Sequence, residues 1–230
     1  MDAETARRLV CDTGRRLRDS CLVLGTWGNV SCRIDEYRMA ITPSGMDYES
    51  LTPEQIPIVD FRSDELTWEG SHEPSAERKL HAAIYRERKD VNAIVHVHSP
   101  YASTVAAARR EVPPILDDMV QVIGPSVRVA EYALPATKKI VKTTLRALKG
   151  RNAALMANHG AVCLGRDMEE AFTCALVLER SCKSFIEAEF LGGAKTIGRV
   201  DAMIMRQYYL RKYSKRRITD STEGPDADIP

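Results

Sequence analysis

The segment "NAIVHVHS", residues 92–99, limits most strongly what this chain can become. It is dense in β-branched residues, too short for a buried helix and too apolar for a surface loop, so it predicts a buried strand. A helical pattern, "AERKLHAAIYRER", starts near Ser75 and leads into it. Ser99 and Pro100 follow as N-cap and first-turn residues of another helix, "YASTVAAARR". A strand fed and followed by helices requires a sheet with helices packed on it.

The same alternation runs along the chain. An opening helix is predicted from about Asp2 to Leu24, with Leu9, Val10, Leu17, Cys21 and Leu24 on one face, ended by "GTWG". "NVSCRIDEYRMAIT" reads as a hairpin in which Val30, Cys32 and Ile34 alternate with polar residues. "IVDF" and "VRVAEYA" are further strands, and "ATKKIVKTTLRALKG" is a helix closed by Gly150. "AALMANHGAVCLG" reads as two strand pieces interrupted at Asn158–Gly160. The longest helix starts at Asp167, with Glu170 in capping-box register, and reaches Gly192. A hairpin among otherwise alternating elements predicts a three-layer α/β/α sandwich around a mixed sheet. One domain is expected over residues 1–213, followed by a polar tail at 214–230 expected to be mobile.

Charge and composition exclude several function classes. The formal net charge is +1, so no global field draws the chain to nucleic acid or to an anionic membrane. No apolar run approaches the ~20 residues that a membrane helix needs. The start, "MDAETARRLV", is acidic and helical rather than a signal peptide, and the six cysteines form no CxxC pair. Reduced, buried thiols and a cytoplasmic location are the expectation. The basic stretch "RQYYLRKYSKRR" is the local exception. Its Tyr208, Tyr209 and Tyr213 fit a terminal helix packing over a neighbour's active site.

His96 and His98 are the unusual members of the central strand. Side chains at i and i+2 share a face, with Cα atoms roughly 6.7 Å apart. Two imidazoles can converge from there on one ion at about 2.0–2.1 Å, although two hydrogen-bonded histidines would look the same in sequence. His159, where a strand stops before Gly160, offers a third nitrogen, the pattern of a catalytic zinc with an open position. His72 in a loop and His81 on a helix are expected to be exposed or locally hydrogen-bonded. Glu77, read in the first turn of the helix leading into the strand, is the best general base, because a helix N-terminus favours its ionised form. Asp117 and Asp118 form a second carboxylate pair in an apolar setting. "GTWGNVS", "TPSG" and Pro74–Ser75 are small-residue loops that can hold a phosphate or simply turn the chain.

In this order, "GTWGNVS", "ITPSGMDY", "EPSAERKLHAAIYRERKDVNAIVHVHSPYAS" and "NHGAVCLGRDMEEA" resemble the class II aldolase/adducin family, and within it the L-fuculose-1-phosphate aldolases. The resemblance spans about residues 5–213. It implies an α/β/α sandwich with a mixed, largely antiparallel sheet, and a homotetramer with active sites at subunit junctions. It places a Zn²⁺ ion, one per subunit, on His96, His98 and His159; cobalt, manganese or iron would suit the same ligands. Glu77 becomes the acid/base carboxylate, joining the metal ligands when substrate is absent. Gly28, Asn29, Ser44, Gly45 and Ser75 become the phosphate cradle, and Tyr213 the C-terminal tyrosine that reaches the site.

The implied reaction is reversible cleavage of a ketose 1-phosphate, of fuculose or 5-deoxyribulose type, to dihydroxyacetone phosphate and an aldehyde. Two positions depart from the pattern. Ala76 stands where the family's loop has a second serine, removing one hydroxyl from the cradle. Asp118 stands near a tyrosine of the fuculose-type aldolases, where related dehydratases carry a glutamate. An acid there keeps dehydration of methylthioribulose 1-phosphate open as the alternative. Epimerisation of a pentose phosphate or decarboxylation of a sugar-acid phosphate would reuse the same metal site. A non-catalytic adducin-like interaction protein would lack the ligands that are present here.

Overall fold

The computed structural model describes residues 1–213; the predicted tail at 214–230 lies outside the described residues. β1 (Asn29–Arg33) and β2 (Arg38–Ile41) form the predicted hairpin. β3 (Ile58–Asp60) and β4 (Thr67–Glu69) extend the sheet on one side of it. On the other side lie β5 (Ala93–Val97), β8 (Gly160–Gly165), β7 (Ala153–Met156) and β6 (Val129–Ala130). The order is β4-β3-β2-β1-β5-β8-β7-β6, and only β6 and β7 run parallel. The sheet is therefore mixed and largely antiparallel, as expected.

Among the described residues seven α-helices accompany it: α1 (Ala3–Asp19), α2 (Arg78–Glu87), α3 (Pro100–Ala108), α4 (Asp117–Val122), α5 (Lys138–Leu148), α6 (Met168–Phe190) and α7 (Arg199–Tyr208). Two apolar cores result, one on each face of the sheet. Ala93, Val95 and Val97 of β5 face a core shared with α1, α3 and α6, through Val10, Leu17, Val105 and Leu178. Ile94 faces the other core, with Leu80, Ile84 and Tyr85 of α2 and Ile140 of α5. The strand period then dictates that His96 and His98 continue the row begun by Ile94, on the α2 side.

Several expectations about local structure need correction. α1 stops at Asp19, not near Leu24, because Cys21 turns left-handed at φ 56°. Leu22 N–H bonds back to the Leu17 carbonyl at 2.9 Å, the six-to-one bond of a Schellman cap. Cys21 and Leu24 are consequently exposed, although the other five cysteines are buried and none is in a disulfide. α2 starts at Arg78, so Glu77 occupies the N-cap position instead of the first turn. "VRVAEYA" contributes only the two residues of β6. β4, exposed at the sheet edge, and α4, a helix of six residues, have patterns too short to read from sequence. No described helix is long and apolar enough to cross a membrane.

Candidate active site

The antiparallel register carries the histidines to one end of the sheet. Asn29 of β1 pairs with His96 of β5, and Val97 of β5 pairs with Ala161 of β8. His98 follows β5 immediately, and His159 precedes β8 in a turn made by Asn158 at φ 56°. Three ring nitrogens, one from each histidine, lie within 4.8 Å of one another. The rings meet edge to face, with centroids 4.7–4.9 Å apart. Two glycines permit this closeness. A Cβ on Gly160 would sit 2.3 Å from the Val97 carbonyl oxygen and 3.3 Å from His98 Cδ2. A Cβ on Gly28, where φ is +83°, would sit 2.6 Å from the His96 carbonyl oxygen.

A hydrogen bond to a carbonyl sets the tautomer of His96. His96 Nδ1 donates to the Ala161 carbonyl at 2.9 Å, which leaves its Nε2 lone pair facing inward in the neutral ring. That Nε2 lies 2.8 Å from His98 Nε2 and 3.1 Å from Glu77 Oε2, and His159 Nε2 lies 3.7 Å from Glu77 Oε1. Burial pushes the His98 ring down to about 3 and the His159 ring down to about 4, so both are neutral at pH 7. Glu77 is 8% exposed. Burial alone would raise its carboxyl, but the facing His96 and His159 rings and the Asn29 hydrogen bond hold it down at about 2. Glu77 Oε1 and His159 Nδ1 are buried with no hydrogen-bond partner.

An ionised carboxylate beside three convergent ring nitrogens is a donor set for one cation. Three imidazoles and a carboxylate oxygen match the ligand chemistry of a divalent transition metal, so these residues fit the ion that the sequence implied.

The small-residue loops converge on the same carboxylate. Asn29 Nδ2 donates to Glu77 Oε2 at 2.8 Å, and Glu77 N–H donates to Ser75 Oγ at 3.2 Å. A bridge between Pro43 and Pro74, with the Ser75 amide on the Thr42 carbonyl at 3.0 Å, lays the loop of Ser44 and Gly45 beside that of Ser75. Gly45, at φ +70°, is exposed, as is Ser44; Asn29 and Ser75 are buried.

Asp118, His72 and His81 make their contacts outside this cluster. Asp118 lies in the first turn of α4 and pairs with Arg180 at 3.4 Å. Asp117 beside it opens the same helix. Tyr213 ends a short π-helical turn, Tyr209–Tyr213, and its side chain is outside what the structure describes. His72 meets Ser71 at 3.0 Å in its loop. His81 corrects the expectation of exposure or a local hydrogen bond. It is fully buried, with Nδ1 2.7 Å from Ser31 Oγ, which in turn lies 2.9 Å from Tyr85 OH.

Glu179 is a residue that sequence reasoning missed. From α6 it accepts hydrogen bonds from Tyr101 N, Ala102 N and Ser99 Oγ at 2.6–2.9 Å, anchoring α3 directly after His98. Ser99 therefore caps α3 by geometry while its hydroxyl serves Glu179. Nothing in the spacing of Ser99 and Glu179 signals this contact.

Comparison with known proteins gives a concordant picture. Residues 8–186 match the family model of the class II aldolase and adducin N-terminal domain. The chain is 34% identical over 185 residues to a 5-deoxy-D-ribulose 1-phosphate aldolase of Bacillus thuringiensis serovar kurstaki, covering 80% of this chain and 85% of that protein. It is 32% identical over 179 residues to a 5-methylthioribulose-1-phosphate/5-deoxyribulose-1-phosphate aldolase of Rhodospirillum rubrum, covering 78% and 79%. A solved L-fuculose 1-phosphate aldolase superposes with a TM-score of 0.84 at 32% identity, over 89% of this chain and 96% of that one.

Proposed function

The chain belongs to the class II aldolase and adducin family, and from that premise we propose that it is a zinc-dependent aldolase of ketose 1-phosphates. It would cleave the bond between C3 and C4 reversibly, giving dihydroxyacetone phosphate and an aldehyde. The observation that carries this reading is the buried, ionised Glu77 held against three convergent imidazoles. Two relatives named for 5-deoxyribulose 1-phosphate favour a five-carbon substrate of that type over fuculose 1-phosphate.

His96, His98 and His159 would hold the ion, with Glu77 as a further ligand before substrate binds. When bound, a divalent ion there supplies Lewis acidity to the carbonyl and hydroxyl oxygens beside the cleaved bond. Glu77 would hold and return the proton at C3, and Asn29 would aim its carboxylate through Oε2. Gly28, Asn29, Ser44, Gly45 and Ser75 would anchor the phosphate, so that binding far from the reacting carbons orients them. Ala76 leaves this cradle one hydroxyl short.

Asp118 and Tyr213 are assigned to the proton at the aldehyde end. The cluster of their own chain does not include Asp118, so this role belongs with a tetramer whose sites lie at subunit junctions. A soluble cytoplasmic enzyme acting on a small phosphorylated sugar, with neither nucleic acid nor membrane as partner, completes the reading. So does the single domain over 1–213.

The test is product analysis with a panel of ketose 1-phosphates, including 5-deoxyribulose, methylthioribulose and fuculose 1-phosphates. A coupled reductase would report dihydroxyacetone phosphate. Its release supports the aldolase; turnover without it assigns the site to dehydration, epimerisation or decarboxylation.

A further inference from the structure

A second charged site lies at the opposite end of the strands that carry the histidines. Beside Val91, before β5, and Gly165, the last residue of β8, is a cavity of about 280 Å³. Arg88, Arg151, Arg166 and Arg206 line it, and Asp90 is the one carboxylate in its described lining. Val91 and His98 are seven residues apart along an extended segment, which separates the cavity from the histidine end by about 23 Å. It is therefore distinct from the loops of Ser44 and Ser75.

Two of the four guanidiniums are balanced. Arg88 pairs with Asp90 at 2.8 Å, and Arg166 pairs with Glu170 at 2.8 Å. The other two bond oxygen atoms that carry no charge. Arg151, 3% exposed, donates to the carbonyls of Ser126, Ala147 and Lys149. Arg206 donates to the Val122 carbonyl at 2.8 Å and to the Gln121 carbonyl. Among the described residues neither forms an ion pair. Carbonyls satisfy the N–H groups but carry no countercharge. The charge is offset only beyond ion-pair distance, by Glu170 for Arg206 and Glu111 for Arg151, which is costly for partly desolvated cations. Guanidinium forks match the oxygens of a phosphoryl group, with directional bonds as well as charge.

We propose that this arginine-lined cavity binds a phosphoryl anion, either inorganic phosphate or the phosphoryl group of a small phosphate ester. Its ligand would tie together four segments that meet there. These are α7 through Arg206, the α2–β5 connection through Arg88, the α5–β7 connection through Arg151, and the β8–α6 turn through Arg166.

The test is calorimetric titration of the full metal-loaded chain with inorganic phosphate and, separately, with glycerol phosphate, at fixed ionic strength. The wild type is expected to bind one more anion per chain than Arg206→Gln, or to bind it at least about tenfold more tightly. Asp90→Asn removes the lining carboxylate and is expected to strengthen the same event severalfold. The KM for the ketose phosphate should stay unchanged in both variants. Binding of phosphate alone identifies the free ion as the ligand, and binding of both probes admits an ester; either supports the proposal. Equal stoichiometry and affinity in the wild type and Arg206→Gln would overturn it. Arg206→Gln also loses contacts to the Gln121 and Val122 carbonyls. Should it fail to fold, an unchanged affinity in Asp90→Asn overturns the proposal by itself.

Discussion

Asn29 Nδ2 donates to Glu77 Oε2 at 2.8 Å, joining the first residue of β1 to the N-cap of α2. This bond occupies one carboxylate oxygen and leaves Oε1 buried without a partner. The carboxylate is thereby oriented while one oxygen stays available to the site.

Asn29→Ala removes that orientation. Metal affinity should fall about 10–100-fold, as for other losses of groups that orient a ligand. Competition with a fluorescent zinc chelator measures it, and an unchanged affinity would mean that Glu77 keeps its position unaided.

Glu77→Gln keeps the shape and the Asn29 contact through its amide oxygen, but it cannot hold or return a proton. Turnover should drop about 10²–10⁴-fold, while the three histidines keep the ion. Steady-state kinetics alongside metal analysis separates the two effects.

His81 gives the fold an acid sensitivity. Burial holds its ring down at about 3, against an ordinary value of 6.5. Between those values the unfolded chain binds a proton that the folded chain does not. The resulting stability is complete above pH 6.5 and is lost as pH falls toward 3. Urea midpoints at pH 7 and pH 5 should therefore differ less in His81→Gln than in the wild type. Parallel shifts in both proteins would assign the acid sensitivity to other groups.

Gly160→Ala places a Cβ against the Val97 carbonyl and close to the His98 ring. Backbone cannot yield there as a flexible side chain would. A loss of about 1–3 kcal/mol is expected, with weakened metal binding. Thermal unfolding with and without metal tests both parts.

Glu179→Ala strips three donors at the start of α3 of their acceptor. Hydrogen bonds to a charged group are worth about 1.5–3 kcal/mol each, and water can replace part of what is lost at this partly exposed end. Stability should fall by about 1–3 kcal/mol, while the KM for the ketose phosphate moves little. Chemical denaturation and kinetics on one preparation check the pair.

The legible parts of this molecule are those with long periodic patterns. The β1–β2 hairpin, β5, β7, β8 and α6 appear where alternation or helical spacing places them. The His96–His98 pair was readable because strand period alone puts i and i+2 on one face. His159 was readable because Asn158–Gly160 breaks a strand. What escaped depended on contacts distant in sequence. Ser31 meets His81 across 50 positions, and Ser99 meets Glu179 across 80. Helical pattern alone could not separate a fully buried His81 from a solvated one. The end of α1 was missed for a local reason: a cysteine occupies the left-handed position where glycine would have announced the stop.

The central claim is that the cluster of His96, His98, His159 and Glu77 holds one divalent ion and that aldol cleavage depends on it. The most direct measurement strips the enzyme with a chelator, removes the chelator, and titrates zinc back while following dihydroxyacetone phosphate release from 5-deoxyribulose 1-phosphate. The account predicts that activity vanishes on stripping and returns linearly until one ion is bound per chain, with no recovery in His96→Ala. Full activity in the stripped enzyme, or equal recovery in His96→Ala, would contradict it.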